Sequence, residues 1–191
     1  MHIKYRSNSE AATMELGFRL GQLIPAGTVI ALIGDLGVGK THFVQGFALG
    51  LGIQDAISSP TFTLVAEYRD PAARLALFHM DAYRLETGEQ FIDSGLDEYF
   101  TYGGVTIIEW ADLIIDALPP DVLTISFFRE NTPWLTELDL EQGGQIEIPA
   151  DDGVRILDFI FTESAALRET AGALQKGLSE VPIDELKEET V

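Results

Sequence analysis

The chain has 191 residues, a formal net charge of −19 at pH 7 and no cysteine, so it can bury a substantial core as one domain, while disulfide and thiolate chemistry are excluded. Acidic side chains outnumber basic ones both before and after residue 150, and because such a surface repels phosphodiester backbones, we expect no direct, independent binding to nucleic acid. No signal-like leader and no apolar run of about 18 residues is present, so we expect a cytoplasmic protein without membrane contact.

The first predicted element is an amphipathic helix over about residues 8–24. Ser7 and Glu10 fit a capping box in which Ser7 is the N-cap residue. One face of this helix carries the apolar residues Ala12, Leu16, Leu20 and Leu23. Pro25 and Gly27 then end the helix, because neither residue favours its continuation.

Residues 34–41 read Gly-Asp-Leu-Gly-Val-Gly-Lys-Thr and match the phosphate-binding pattern G-x-x-x-x-G-K-T. A β-branched apolar run at residues 28–33 predicts a buried strand before the loop, and apolar residues spaced four apart predict a helix over 41–51. The glycines allow successive N–H groups to face one anion. Lys40 adds positive charge for the outer phosphates, and the Thr41 hydroxyl is a candidate ligand of Mg²⁺.

The middle of the chain alternates between strands and short helices. Residues 62–68 and 75–80 predict an antiparallel hairpin across a turn at 69–74. Helical segments are predicted at 87–100, broken by Gly95, and at 111–118, which ends before two prolines. Further strands are predicted at residues 105–108, 122–128, 135–140, 146–148 and 156–161, with 122–128 paired to 135–140 through the loop at 131–133.

The C-terminal part predicts a helix followed by an acidic tail. From Glu163 onward one helical face carries Leu167, Ala171, Leu174 and Leu178. Residues 184–189 are strongly charged and predict a solvated tail. We therefore divide the chain into a P-loop domain at 1–150 and a C-terminal extension at 151–191, which either docks on the domain or forms a solvated appendage.

Two carboxylates are candidates for completing a phosphate site. Asp81 and Glu109 each follow an apolar strand run, where an acid can hold Mg²⁺ or orient water. Their positions do not decide which of them does which. Thr61 lies in a loop where a threonine can sense a γ-phosphate. His79 lacks the partner spacing of a metal site, so no zinc site is expected.

Four motifs occur in order along the chain: Gly-Asp-Leu-Gly-Val-Gly-Lys-Thr at 34–41, Ser-Pro-Thr-Phe-Thr-Leu-Val at 59–65, His-Met-Asp-Ala-Tyr-Arg at 79–84 and Ile-Glu-Trp at 108–110. With this combination the chain resembles the TsaE (YjeE) family over roughly residues 5–142. Its members are small P-loop ATPases needed for bacterial synthesis of N6-threonylcarbamoyladenosine at position 37 of tRNAs. The resemblance implies a P-loop NTPase-like α/β fold, with a mostly parallel sheet, antiparallel additions and flanking helices.

The resemblance also implies an ATP and Mg²⁺ site. The residues implied at the nucleotide are Thr13, Asp35, Leu36, Gly37, Val38, Gly39, Lys40, Thr41 and His42. His42 stands where members usually have a second threonine, but its backbone N–H remains available to a phosphate. Trp110 matches a family tryptophan beside the acidic residue.

The implied catalytic residues are Lys40, Thr61, Asp81 and Glu109. Thr41 and Glu109 resemble the Mg²⁺ ligands, Asp81 resembles a carboxylate needed for hydrolysis, and Thr61 resembles a switch-like threonine. Family members hydrolyse ATP weakly alone and act bound to the TsaB–TsaD complex, in which TsaD transfers the threonylcarbamoyl group. Hydrolysis of ATP is then expected to reset that complex between cycles.

A second function of a different class also fits these residues. In it the protein is a nucleotide-bound interaction module, ATP orders the Thr61 loop for a partner, and hydrolysis is incidental. A small-molecule kinase is disfavoured because we find no arginine cluster that could form a basic lid. A GTPase is disfavoured because no Asn-Lys-x-Asp pattern is present. Separately, Arg84 is the nearest candidate for an arginine finger that would stabilise charge during ATP hydrolysis.

Overall fold

A computed structural model describes residues 1–130, 153–179 and 186–189. Its strands are β1 (His2–Ser7), β2 (Val29–Ile33), β3 (Val65–Tyr68), β4 (Leu77–Asp81), β5 (Val105–Glu109), β6 (Leu123–Arg129), β7 (Arg155–Ile160) and β8 (Leu186–Glu189). Its α-helices are α1 (Glu10–Leu23), α2 (Lys40–Leu51), α3 (Gly88–Asp93) and α4 (Ala165–Ser179). Two 3₁₀ helices cover Leu96–Thr101 and Ala111–Ala117.

All of these strands belong to one mixed sheet in the order β3-β4-β5-β2-β6-β7-β1-β8. The central strands β4, β5, β2 and β6 are parallel to one another, and the strands on either side of them pair antiparallel. The predicted P-loop NTPase-like α/β fold is therefore confirmed. In the part of the chain that the structure describes, no helix is long and apolar enough to span a bilayer.

Strand β2 is buried on both faces of the sheet. Because successive side chains of a strand point to opposite faces, Ile30 and Leu32 share one core with residues of α1, α2 and α4. Val29 and Ala31 belong to a second core with Phe91 of α3 and apolar residues of the two 3₁₀ helices. The helix layers on both faces hold the carboxyl end of β2 in place, and the phosphate-binding loop begins there.

The N-terminus corrects one prediction. Ser7 does not cap the first helix, because it is the last residue of β1, a strand that the sequence analysis missed. The N-cap of α1 is Ser9, whose hydroxyl accepts a hydrogen bond from the Ala12 N–H at 3.1 Å. The helix therefore starts at Glu10, about two residues later than predicted.

Most of the other predicted elements form, with shifted ends. The predicted hairpin is confirmed as β3 and β4, but β3 starts only at Val65, and Phe62 lies before it with 88% of its surface exposed. The segment predicted as a helix at 111–118 is a 3₁₀ helix with a kink at Ile114. The predicted strands at 135–140 and 146–148, and the loop at 131–133, lie outside the described residues.

The C-terminal segment shares the sheet with the rest of the chain. The strand predicted at 156–161 is confirmed as β7, which pairs with both β6 and β1. The predicted helix is α4, and it docks on the domain by burying Leu167, Ala171 and Leu174 in the core shared with α1 and α2. The prediction of a solvated tail at 184–189 is wrong for residues 186–189, whose backbone pairs with β1 as β8.

Helices α1 and α2 approach closely because glycines line their contact. The glycines concerned are Gly17, Gly21, Gly46 and Gly50. A Cβ on Gly46 would overlap the carbonyl oxygen of Met14 and lie 2.6 Å from the Met14 carbonyl carbon, and neither backbone can move aside easily. This contact fixes α1 against the helix that begins at the phosphate-binding loop.

Replacing Gly46 with alanine should lower the free energy of unfolding by about 1–3 kcal/mol, because the added methyl group overpacks a backbone contact. The measurement is urea unfolding monitored by circular dichroism. Gly172 of α4 is the matched control, since a Cβ there meets no atom within 4 Å. Alanine at that helical position should leave stability unchanged or raise it by up to about 1 kcal/mol. Equal effects of the two substitutions would contradict the packing explanation.

Candidate functional site

A pocket of about 470 Å³ opens at the carboxyl ends of the parallel strands. This is the edge of an open α/β sheet at which ligands bind. The structure brings all of the sequence-predicted site residues into its lining: Thr13, Asp35, Leu36, Gly37, Val38, Gly39, Lys40, Thr41, His42, Thr61, Asp81 and Glu109. Residues from α1, the loop after β2, and the ends of β4 and β5 thus meet in one place.

The N-terminus of α2 is arranged to bind an anion. Gly37 and Gly39 have φ angles of 72° and 109°, which residues with side chains rarely adopt. Gly39 is the N-cap residue of α2, and no side chain of the described residues caps this helix. By contrast, Ser9 caps α1 and Thr87 caps α3. The first N–H groups of α2 therefore remain available to a ligand at this end of the helix, where the helix dipole favours negative charge.

Lys40 supplies a buried positive charge beside these N–H groups. Its ammonium donates to the carbonyl oxygens of Gly34 and Asp35, the second at 2.9 Å, and lies 3.8 Å from the ring centroid of Trp110. Burial lowers the pKa of Lys40, and the negative charge of nearby carboxylates, Glu109 foremost, opposes that shift. A phosphate at this point would replace the solvation that burial removes.

Trp110 forms a wall of the pocket through an unusual backbone conformation. Its φ angle is 59°, in the left-handed region, which costs a bulky residue about 1–2 kcal/mol. This conformation follows directly after Glu109 and accompanies the packing of the indole over the ammonium of Lys40. The Tyr83 ring lies on the indole as well, at 5.0 Å between centroids.

Glu109 lies next to the hydroxyl of Thr41. The Thr41 hydroxyl donates to the two carboxylate oxygens of Glu109 at 3.0 and 3.2 Å. His79, fully buried, holds the same carboxylate through a hydrogen bond of 2.9 Å from Nε2 to Oε1. Because a carboxylate only accepts hydrogen bonds, Nε2 carries the proton, and Nδ1 has no partner among the described residues.

The oxygen donors of Thr41 and Glu109 fit Mg²⁺. This ion prefers hard oxygen ligands and is usually held by one or two protein groups together with water and substrate phosphates. Within the described ranges, no group of three or more His, Cys, Asp or Glu side chains could hold a metal by itself. The donor set therefore suits a metal that arrives with a nucleotide rather than a metal enclosed by the protein.

Asp81 has a different environment from Glu109, although the two are register partners on β4 and β5. The hydroxyls of Ser59 and Thr61 both donate to Asp81 Oδ2, at 2.6 and 2.7 Å. The backbone N–H of Tyr83 donates to Asp81 Oδ1 at 2.9 Å. Glu109 contacts the hydroxyl of Thr41 at the end of the predicted phosphate-binding loop (residues 34–41, the phosphate loop), whereas Asp81 contacts the Thr61 loop. The geometry therefore favours Glu109 as the metal ligand.

Thr13 and His42 lie at the side of the pocket near α1. The hydroxyls of Thr13 and Ser7 form a hydrogen bond of 2.8 Å. The Thr13 methyl group faces Gly39 and would lie 3.8 Å from a Cβ atom at that position. The His42 ring is partly exposed, with Nε2 3.8 Å from a carboxylate oxygen of Glu10. Both side chains thus border the N-terminus of α2.

The sequence analysis missed two arginines at the phosphate loop. Arg129, at the end of β6, donates to the Leu36 carbonyl, and Arg155, at the start of β7, donates to the Val38 carbonyl. No sequence motif marks either residue, because Arg129 is 93 positions from Leu36 and Arg155 is 117 positions from Val38. Arg84, the candidate finger, is not part of the pocket lining, and its guanidinium lies 5.9 Å from the centroid of the Phe62 ring.

The chain is similar to proteins of one family. The family model described as threonylcarbamoyl adenosine biosynthesis protein TsaE matches residues 7–134. A tRNA threonylcarbamoyladenosine biosynthesis protein TsaE from Treponema pallidum is 48% identical over 120 residues, which cover 63% of this chain and 87% of that protein. Its namesake from Bacillus subtilis is 45% identical over 127 residues, covering 66% of this chain and 78% of that protein. A crystal structure of Bacillus subtilis YdiB aligns with a TM-score of 0.70 at 32% identity, covering 93% of this chain and 96% of that one.

Proposed function

This chain belongs to the TsaE family, and we propose that it is the ATP-binding and ATP-hydrolysing accessory protein of threonylcarbamoyladenosine synthesis on tRNA. It acts with the TsaB–TsaD complex and is not itself the threonylcarbamoyl transferase. One observation carries the proposal. A single pocket contains the N-terminus of α2, Lys40 and the carboxylates of Glu109 and Asp81. No described side chain caps this end of the helix, and the two carboxylates have different hydrogen-bond partners.

ATP binding rests on the phosphate loop and Lys40. The N–H groups at the start of α2 donate hydrogen bonds to the phosphate oxygens, and the Lys40 ammonium adds positive charge at the outer phosphates. The carboxylates of Glu109 and Asp81 line the same pocket and would repel a triphosphate that carries no metal ion. Thr41 and Glu109 would hold Mg²⁺, and the ion would supply positive charge that offsets this repulsion.

Hydrolysis rests on Asp81 and the Thr61 loop. The Asp81 carboxylate is fixed from two sides, by the Tyr83 N–H on Oδ1 and by two hydroxyls on Oδ2. A carboxylate held in this way orients a water molecule for attack on the γ-phosphorus and accepts its proton, while the bond from that phosphorus to the β,γ-bridging oxygen breaks and ADP leaves. Because the Thr61 hydroxyl donates a hydrogen bond to Asp81 Oδ2, the position of the Thr61 loop is coupled to the hydrolysis step.

The low activity proposed for the isolated protein follows from its exposed pocket rim. Leu36 and Tyr83 line the pocket with 78% and 56% of their surfaces exposed, and Phe62, which follows the lining residue Thr61, is 88% exposed. Arg84 packs near Phe62 and does not reach the pocket lining, so its charge is not placed at a γ-phosphate. Binding of the TsaB–TsaD complex over this rim would exclude water and complete the charge stabilisation.

The proposal is tested by repeated tRNA modification in a purified system. The reaction contains the TsaB–TsaD complex, tRNA, a preformed threonylcarbamoyl donor and this protein, with either Mg-ATP or a non-hydrolysable ATP analogue. We expect many turnovers per complex with Mg-ATP and about one with the analogue. Equal multi-turnover activity with both nucleotides would instead identify a nucleotide-bound interaction module, in which hydrolysis is incidental.

A further inference from the structure

Two arginines of neighbouring strands contact alternate peptides of the phosphate loop. Arg129 and Arg155 are register partners in the antiparallel pair of β6 and β7. Arg129 Nη2 donates to the Leu36 carbonyl oxygen at 3.0 Å, and Arg155 Nε donates to the Val38 carbonyl oxygen at 3.1 Å. The two guanidinium groups therefore hold the loop at two peptides that are separated by one residue.

These contacts also fix the direction of two amide groups. A trans peptide is planar, so the carbonyl of one residue and the N–H of the next point in opposite directions. A guanidinium that holds the Leu36 carbonyl thereby turns the Gly37 N–H away from itself. In the same way, the guanidinium on the Val38 carbonyl turns the Gly39 N–H away from Arg155.

The two glycines need such a constraint. Their φ angles of 72° and 109° are accessible because glycine has no Cβ, and the same freedom lets the adjoining peptide planes rotate at little cost. A loop whose peptides rotate presents carbonyl oxygens as often as N–H groups, and carbonyl oxygens repel phosphate. Fixing the planes in advance removes this ordering cost from nucleotide binding.

We propose that Arg129 and Arg155 are positioning residues that orient the Gly37 and Gly39 amides toward the phosphates of the nucleotide. The inference rests on the proposed function in that the bound ligand is a nucleotide. It adds a role for β7, because Arg155 lies outside residues 7–134, the segment that the family model matches. The C-terminal segment thereby takes part in forming the site and does more than extend the sheet.

The first test measures the affinity for Mg-ADP by calorimetry in Arg155→Gln and Arg155→Lys. Loss of a hydrogen bond from a charged donor should weaken binding roughly 10-fold in both variants, because lysine keeps the charge but lacks the planar donor. Arg168→Gln is the control for net charge, since Arg168 is a half-exposed residue of α4 paired with Glu163. Wild-type affinity in Arg155→Lys together with a loss in Arg155→Gln would show an effect of charge alone and overturn the proposal.

The second test observes the amides directly, without nucleotide. In spectra of protein labelled with ¹⁵N-glycine, Arg155→Gln should shift or broaden mainly the Gly39 resonance, and Arg129→Gln mainly that of Gly37. Gly46 is packed between α1 and α2, so its resonance reports whether each variant is folded. That resonance should not move. Unchanged Gly37 and Gly39 resonances in both variants would overturn the proposal.

The two tests also separate this inference from the proposed function. If the wild-type protein binds no Mg-ADP, the proposed function fails, while the glycine spectra still show whether the arginines orient the loop. If the wild-type protein binds Mg-ADP and the two Arg155 variants bind it equally well, only the positioning role fails.

Discussion

Replacing Lys40 with alanine is expected to weaken the binding of Mg-ATP at least about 100-fold, because two charge-assisted hydrogen bonds to phosphate are each worth about 1.5–3 kcal/mol. The structure places the ammonium beside the first N–H groups of α2, and burial has already removed much of its water. Isothermal calorimetry measures the effect without relying on Trp110, whose ring contacts the substituted side chain. Affinity within about threefold of the wild type would contradict the assignment of residues 34–41 as the phosphate loop.

Lys40→Met is the companion variant that separates binding from folding. Because burial lowers the pKa of Lys40 below its ordinary value, the charged form is disfavoured in the folded protein, and keeping the charge costs stability at every pH below that lowered pKa. Methionine at this position should therefore leave the stability of the nucleotide-free protein unchanged or higher near pH 7.

The affinity of the wild-type protein for Mg-ATP should fall as the pH rises through the lowered pKa of Lys40. This fall should occur at a lower pH than it would for an exposed lysine, whose pKa is not lowered by burial.

Exchanging the two carboxylates for amides is expected to separate metal binding from hydrolysis. Glu109→Gln should remove the Mg²⁺ dependence of nucleotide affinity, since Glu109 is the carboxylate that contacts Thr41. Asp81→Asn should keep that dependence and lower the rate of ATP hydrolysis about 100-fold or more, because an amide does not accept the proton of the attacking water. Calorimetry with and without Mg²⁺, and phosphate release in the presence of the TsaB–TsaD complex, measure the two effects.

Asp93→Asn is the matched control for this pair, since Asp93 is an exposed residue at the end of α3. It makes the same chemical change outside the pocket and should alter neither quantity. The informative failure is an exchange of phenotypes. If Asp81→Asn removes the Mg²⁺ dependence and Glu109→Gln does not, then the roles of the two acids are reversed.

The parts of the site that the sequence predicts are those whose chemistry is local. The phosphate loop is one continuous segment, and its glycines, Lys40 and Thr41 must follow each other closely for successive N–H groups to reach one anion. Asp81 and Glu109 each follow an apolar strand run, and parallel strands align their carboxyl ends. Pattern and position are therefore sufficient to predict that these three segments meet at one edge of the sheet.

The roles of the two acids depend on contacts that sequence order does not contain. Asp81 and Glu109 have the same chemistry and similar positions, and only the side-chain partners distinguish them. Those partners are Thr41 for Glu109 and the Ser59–Thr61 pair for Asp81. The short Ser-Pro-Thr motif contained Ser59, but nothing in it indicated which carboxylate its hydroxyl would bind.

The sheet edges were missed for a related reason. β1 is short, and its alternation of Ile3 and Tyr5 with polar residues is too brief to stand out at the start of a chain, although that alternation is the signal that could have found it. Three of the four residues at 186–189 are charged, and this segment forms a strand by pairing with the edge backbone groups of β1. Arg129 reaches the loop at residues 34–41 because β6 pairs with β2, and Arg155 reaches it because β7 pairs with β6; no local pattern encodes either pairing.

In the proposed function, the main-chain amides at the start of α2 bind the phosphates of ATP while Thr41 and Glu109 hold the accompanying metal. The most direct measurement is a crystal structure of the protein with Mg²⁺ and a non-hydrolysable ATP analogue. We expect phosphate oxygens on the N–H groups of residues 37–42 and the metal ion between Thr41 and Glu109. Nucleotide bound away from α2, or phosphates at this loop with the metal on neither side chain, would contradict the proposed function.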